Sequence, residues 1–396
     1  MKLPAFVSDL SLPPLEYHQQ LRQWSKEMRQ NSPIVWDDDS VSWLVFRYDD
    51  VARVQSDYQT FSSEGTVGGK EMAAEKSSPS IIEMDPPRHR QMRSLITQAF
   101  SAKTIAGMAP QIEQIVDELF EGIIARKDCD WMTDLANPLP VIVIATMLGL
   151  PVEEWPNFKQ WTDAIVNESP GSQEASWHFS QYFKEALTKR QQQPGSDILS
   201  LLIASEVDGE RLSHEDLMSF CFTLFIAGNI TTTNVLGSAI LCFNEHPEEL
   251  ERLRRQPELV PGAVEEVIRY MPPFRAGPNG LVLGRVAKTD VEVSGQLVRK
   301  GEYVQVNRLS ANFDESHFPE PEHFDVGRSP NRHQSFGHGI HFCLGAPLAR
   351  LEVRIVLEKI ARKFKMLRIV PGAELKQAQS MLIFGVQSVP VEFQVA

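Results

Sequence analysis

From Asp85 to about residue 270, apolar side chains recur at helical spacing, broken only by Pro/Gly/Asp punctuation at 151, 170–171, 194–196 and 207–209. A pattern that long confines the chain to a mainly helical architecture. No stretch rich enough in Pro, Gly or Ser divides the 396 residues. The reading is therefore one large domain, 1–396, mainly α with a minor β portion, although length alone suggests two or three domains. Apolar residues make up 42% of the chain, enough to fill a core of that size.

Ahead of the helical region, the pattern predicts a helix over Leu15–Arg29 and strands over Ile34–Trp36 and Ser42–Arg47. Ser62–Ser80 reads as a loop, and Asp85-Pro86-Pro87 as a helix start with Asp85 as N-cap. Short β segments are expected at Val291–Val293, Tyr303–Val306, Met381–Phe384 and Val391–Val395, with an amphipathic helix over Leu344–Phe364. The apolar stretch Leu217–Phe243 is long enough to cross a bilayer. Asn229, Thr231, Thr232, Thr233, Asn234 and Ser238 lie inside it and its flanks are acidic, so a buried helix is the better reading.

The first residues carry no apolar run of the kind a signal or anchor needs, so no membrane anchor is expected. Four cysteines without a C-x-x-C pair suit a reducing cytoplasm. Acidic residues number 52 against 39 basic, a net charge of −13, which argues against a nucleic-acid partner.

One cysteine stands apart from the others. In Phe336-Gly337-His338-Gly339-Ile340-His341-Phe342-Cys343-Leu344-Gly345, two glycines precede Cys343, which is placed at the start of the helix predicted from Leu344. Unpaired backbone N–H groups and the helix dipole there would favour a thiolate. A thiolate is the axial ligand that pushes electron density onto haem iron for O–O cleavage. A lone cysteine is more often a small buried hydrophobe. His338, His341 and Cys343 could also ligate zinc, though a second paired element is missing.

Phe336–Arg350 (FGHGIHFCLGAPLAR) resembles the haem-binding signature of the cytochrome P-450 superfamily, in particular its soluble bacterial members. Three more motifs follow the family's order: Glu266-Val267-Ile268-Arg269 as E-x-x-R, Phe318–Asp325 with Arg328, and Ala227–Thr232 in the oxygen-binding groove of the central helix. The similarity spans essentially the whole chain. It implies the cytochrome P-450 fold, a single triangular-prism-like domain holding haem b. Cys343 is implied as iron ligand, with Phe336 shielding the sulfur and Gly345 and Ala227 against the cofactor. Glu266, Arg269 and Arg328 are implied as a buried network that fixes the cysteine loop. His89 and Arg93, four apart on one helix face, are implied as propionate ligands with His341 and Arg285; Arg275 is a rival for the last place. Arg88 and Arg90 read as a solvated basic face. Gly228 is implied to leave room for oxygen, and Thr231 to hold oxygen by a hydrogen bond and help deliver protons, with Asn229 as a further hydrogen-bonding group. Thr232 and Thr233 read as residues that bond back to the helix.

The sequence departs from the family in three places. Ile230 stands where most relatives carry an acid, so proton supply is expected to be weakened or rerouted. The segment Pro272–Gly284 is longer than usual and could reshape a substrate pocket or bulge from the surface. Asn312-Phe313-Asp314 replaces the usual basic residue after Asn. The resemblance builds the pocket from Ser62–Glu83, residues near Ile165–Trp177, then Thr223, Ile226, Ala227, Phe274, Ile383 and Phe384. These are mostly apolar and suit a lipophilic substrate such as a steroid, fatty acid or terpenoid. The implied reaction is C–H hydroxylation with O2. The resemblance implies electrons from a ferredoxin or flavodoxin with an NAD(P)H-dependent reductase; no G-x-G-x-x-G follows a strand here, so nicotinamide is not expected to bind directly. The alternatives are a peroxide-using or isomerising haem-thiolate enzyme and a non-catalytic haem- or lipid-binding protein.

Overall fold

A computed structural model describes residues 2–64, 79–167, 170–207, 209–275 and 284–396. Most of the expected Ser62–Ser80 loop, and the Gly277–Gly280 turn of the enlarged segment, lie outside the described residues. The chain divides into two compact units: Met1–Ala74, Asn234–Cys343 and Leu357–Ala396 form one, Glu75–Thr233 and Leu344–Val356 the other.

The first unit holds nearly all the sheet. Its helix Pro14–Asn31 starts on a proline, which has no N–H to lose in a first turn. Tyr17, Leu21, Trp24 and Met28 recur every three or four residues and are buried. Five strands follow in the order Ile34–Asp37, Ser42–Val45, Tyr303–Val306, Arg285–Ala287, Phe61–Ser62. Ser42–Val45 runs parallel to Tyr303–Val306, and the other pairs are antiparallel. Val45, Phe61, Ala287 and Val304 pack with Val51 and Val54 of the helix Tyr48–Ser56. Each fully buried Val or Phe contributes roughly 1.5–3 kcal/mol. This core fixes the strand that carries Arg285, the one that ends just before Ser63 and the one that ends just before Arg308.

The second unit is built from helices, among them Arg88–Ala99, Pro138–Met147, Trp155–Val166 and Ser172–Gln192, with residues 214–233 of the long helix His214–Glu245. Phe158, Phe179, Phe183 and Phe225 form an aromatic core, with the Phe158 and Phe225 rings 5.0 Å apart and Phe179 and Phe183 4.4 Å apart. The long helix is, among the described residues, the one helix long and apolar enough to cross a membrane, but 72% of its apolar window is buried. Burial of that kind is what the interior polar residues predicted.

Three expectations change. The helix expected from Asp85 begins at Arg88, with Pro87 preceding it and the Asp85 carbonyl accepting from His89 N at 3.0 Å. A proline disfavours helical backbone at the residue before it, which keeps Asp85 and Pro86 outside the helix and leaves Pro87 at its N-cap. The helix expected over Leu344–Phe364 runs Ala346–Lys363. Phe364 then opens a strand, Phe364–Ile369, which pairs antiparallel with Val391–Val395. Met381–Phe384 is no regular strand: Ile383 makes an isolated bridge to Phe274, flanked by hydrogen bonds Arg275 N to Leu382 O and Phe384 N to Pro273 O, each 3.0 Å.

Candidate functional site

The loop before Cys343 is shaped by its glycines. Gly337 and Gly339 sit at φ 77° and 70°, where a side chain is disfavoured. A Cβ at Gly339 would stand 2.7 Å from Ser56 Cα, so the loop lies directly on the helix Tyr48–Ser56. The loop closes on itself through Cys343 N to Phe336 O at 2.9 Å and Phe342 N to Gly339 O at 3.1 Å. Phe336 is half-buried, its ring 6.2 Å from that of Phe342. Cys343 is exposed, whereas Cys129, Cys221 and Cys242 are buried. Burial pushes the thiols of Cys129 and Cys221 up to about 12 and that of Cys242 higher still, which suits inert packing residues. Cys343 lies three residues before the helix, not at its first turn, so the helix dipole reaches it more weakly than the sequence implied. Gly345 leads into that helix, its carbonyl accepting from Ala349 N at 3.0 Å.

A buried polar network holds the run into this loop. Arg269 donates to both oxygens of Glu266, at 2.8 and 2.9 Å, and both side chains are fully buried. Arg328 Nε reaches the same carboxylate at 3.2 Å, and Asn331 and the Asp325 amide donate to it as well. Asn312 carries the constraint onward. Its amide donates to Arg269 O and Ser335 Oγ and accepts from Gln334 N at 2.7 Å, just ahead of Phe336. Phe313, where the family usually has a basic residue, is fully buried with the Arg269 guanidinium 5.0 Å and that of Arg22 5.4 Å from its ring centroid. The aromatic face offers these two cations an attractive contact that a basic side chain would not.

This unit also carries several cationic groups. Arg285 is buried and donates to Gly284 O at 2.8 Å. His341 Nε2 is 2.9 Å from the hydroxyl of buried Ser63. Arg275, the rival to Arg285, is committed elsewhere: it donates to Gln377 Oε1, Val7 O and Asp9 O and stacks 4.1 Å over Tyr17. Arg308, which no motif marked, lies electrostatically close to Arg285 and Cys343. Burial first, then the Arg285 charge, push its guanidinium down to about 10, with Cys343 acting in the opposite direction. One exposed thiol, a histidine and two guanidiniums are the donor set that thiolate-ligated haem with carboxylate side arms requires. Among the described residues, no three His, Cys, Asp or Glu converge as a metal site, so His338, His341 and Cys343 do not form the zinc alternative.

The second unit contributes a different set. His89 is buried and Arg93 half-buried, four apart on Arg88–Ala99. Arg88 is not merely solvated: it pairs at 2.7 Å with Asp216, whose side chain is buried. Arg90 is exposed, as expected. On the long helix Ala227 is exposed and Thr231 half-buried, its hydroxyl donating to Ala227 O at 2.5 Å. Gly228 has a packing reason to be small: a Cβ there would stand 2.6 Å from Ile144 Cδ1. Asn229 is fully buried, donating to Thr162 Oγ1 at 2.9 Å and accepting from Thr233 at 3.4 Å. Thr233 also donates to Ala136 O, so it ties helices together in place of bonding back along its own. Ile230 is buried.

Of the expected pocket residues, Thr223 bonds Ser80 Oγ at 2.9 Å, joining two segments the resemblance placed together. Ile226 and Ile165 are half-buried and Trp177 is exposed. Phe274 bridges Ile383. Phe384 faces another way, stacked on Tyr17 at 5.8 Å and against His18 at 5.6 Å. It is a core residue, and only neighbours distant in sequence could have said so.

Residues 172–395 match the family model Cytochrome P450. The chain is 39% identical over 383 residues to YjiB, a Bacillus subtilis (strain 168) protein assigned to the cytochromes P450, covering 93% of each. It is 36% identical over 386 residues to the erythromycin C-12 hydroxylase of Saccharopolyspora erythraea, covering 94% of each. Among solved structures it resembles CYP109E1 from Bacillus megaterium in complex with testosterone. The TM-score is 0.85 at 37% identity, over 94% of this chain and 98% of that one.

Proposed function

The chain belongs to the cytochrome P450 family of haem-thiolate monooxygenases, and from that premise we propose that it hydroxylates a C–H bond of a lipophilic small molecule. The observation that carries the reading is Cys343, exposed in a loop locked by Gly337, Gly339 and the Glu266–Arg269–Asn312 network. Steroids are the class to try first, supported by one relative, CYP109E1, solved with testosterone and with corticosterone; fatty acids and terpenoids follow. O2 is the oxidant, with electrons from a ferredoxin or flavodoxin and its NAD(P)H-dependent reductase, in the cytoplasm. The whole chain, 1–396, works as one haem-thiolate domain.

Haem bound through a thiolate supplies the iron centre that activates O2. Cys343 is the ligand, with Phe336 covering the sulfur and Gly345 allowing close approach. In the first unit Arg285 and His341 hold carboxylate arms, His341 being oriented by Ser63. In the second unit His89 and Arg93 do so by their motif. Thr231 holds a proton on Oγ1, parked on Ala227 O, from which it can turn to oxygen. Asn229 has both ends of its amide committed and acts by fixing this stretch of helix. Ile230 supplies no titratable group, so proton supply to Thr231 is weakened or rerouted. Thr223, Ile226, Ala227, Phe274 and Ile383 offer the apolar contacts.

The ferric protein is titrated with a panel of steroids, fatty acids and terpenoids while the Soret band is followed. A blue shift with one class, then a hydroxylated product only when donor proteins are supplied, is the expected result. Turnover with hydrogen peroxide alone, which Ile230 favours, would mark a peroxide-using enzyme. Ligand binding without any product would mark a non-catalytic haem protein.

A further inference from the structure

Arg308 opens the short helix Arg308–Asn312, directly after the strand Tyr303–Val306. Its guanidinium is half-buried and oriented from one side only. Nε donates to Gln55 Oε1 at 3.1 Å. Gln55 is itself buried and held by donation from Nε2 to Val51 O at 3.2 Å and to Gln334 Oε1 at 3.4 Å. On the loop side Gly337 leaves the space open: a Cβ there would stand 3.3 Å from Arg308 Nη2. The Phe274 ring lies 5.8 Å from Cζ. Among the described residues, Nη1 and Nη2 make no hydrogen bond and no carboxylate pairs with this cation.

A partly desolvated guanidinium beside another guanidinium is unfavourable unless an anion joins them. The second cation here is Arg285, already buried in the sheet. The two free Nη groups form a fork, which matches a carboxylate better than any point charge. Gln55, Gly337 and Phe274 are neutral neighbours that set the direction of that fork without satisfying it.

We propose that Arg308 is a cofactor-anchoring residue that binds a propionate carboxylate of the haem through Nη1 and Nη2, as a second guanidinium beside Arg285. The inference rests on the reading of Cys343 as haem ligand. Gln55 and Gly337 are the positioning residues, one holding Nε and the other making room. The same carboxylate chemistry could come from a fatty-acid substrate, and the test separates the two.

The experiment compares wild type with Arg308→Gln and Arg308→Lys as loaded proteins. Haem transfer to excess apomyoglobin is timed, with haem and with its dimethyl ester, in which both propionates are blocked. Expected is release from Arg308→Gln roughly tenfold faster than from wild type, an intermediate rate for the lysine variant, and no difference once the ester is used. Should the glutamine variant not fold, the lysine variant, which keeps the charge and loses the fork, is read in the same way. Equal release rates with ordinary haem, or an Arg308 effect that persists with the ester, would overturn the assignment. Unchanged haem release with weakened binding of dodecanoate would move the carboxylate to the substrate and also overturn it. The ferrous–carbon monoxide spectrum separates the two readings. A wild type without thiolate ligation removes the Cys343 reading and this inference with it, whereas a normal spectrum with equal release rates removes only the role of Arg308.

Discussion

Two glutamates flank the cysteine loop in sequence and are buried by opposite means. Glu266, on the helix Val260–Tyr270, is fully enclosed and answered on both oxygens by Arg269, Arg328, Asn331 and the Asp325 amide. Glu352, on the helix Ala346–Lys363, is equally enclosed, but its Oε2 has no hydrogen-bond partner among the described residues. Burial alone pushes the Glu352 carboxyl well above the usual carboxylate range. The first carboxylate is answered by cations and donors and fixes geometry. The second gives up its charge and is held by packing. A buried pair is weak evidence for stability but a good means of specifying one arrangement. The arrangement specified here is the path from Arg269 through Asn312 to Gln334, and so to the ligand loop.

The largest effect should come from breaking the paired side. Glu266→Gln leaves Arg269 buried without its bidentate partner, which costs about 3–5 kcal/mol. Expected are a large fall in melting temperature and poor haem retention, read from the Soret-to-protein absorbance ratio. A variant that melts and loads like wild type would mean that the network does not hold the loop. A smaller effect is expected one step along the path. Asn312→Ala removes the bonds to Arg269 O, Ser335 Oγ and Gln334 N, costing about 2 kcal/mol. Because Asn312 links the network to the loop, haem should also be lost faster from this variant. Stability lost without faster haem release would separate the network from the site.

The same contrast explains what could be read in the sequence. Glu266, Arg269, Arg328, Cys343 and the two loop glycines were legible because their function depends on fixed spacing within short segments. The mainly helical fold was legible from periodicity. Arg308 was not, since its importance arises from Gln55, Arg285 and Gly337, which meet only in the folded chain. The packing reason for Gly228, the inward turn of Asn229 and the core position of Phe384 depend likewise on Ile144, Thr162 and Tyr17, each more than sixty residues away in sequence. The start of Arg88–Ala99 was misplaced because an N-cap pattern at Asp85 was followed by two prolines that the helix excluded.

The smallest effect belongs to Glu352, and its sign is set by protons. The folded state holds a proton on this carboxyl that the unfolded chain releases above the ordinary carboxylate pKa. Stability from this group is therefore full below that range and is lost as pH rises toward the elevated folded value. Glutamine has the same shape and no charge to give up. The melting temperature of Glu352→Gln relative to wild type should then climb as pH rises above the ordinary carboxylate range. The added amide N–H groups shift the offset between the two curves but not its slope with pH. A gap that stays constant or narrows as pH rises would mean that Glu352 is charged and paired in the folded protein. It would then resemble Glu266, and the two sides of the cysteine loop would be built alike.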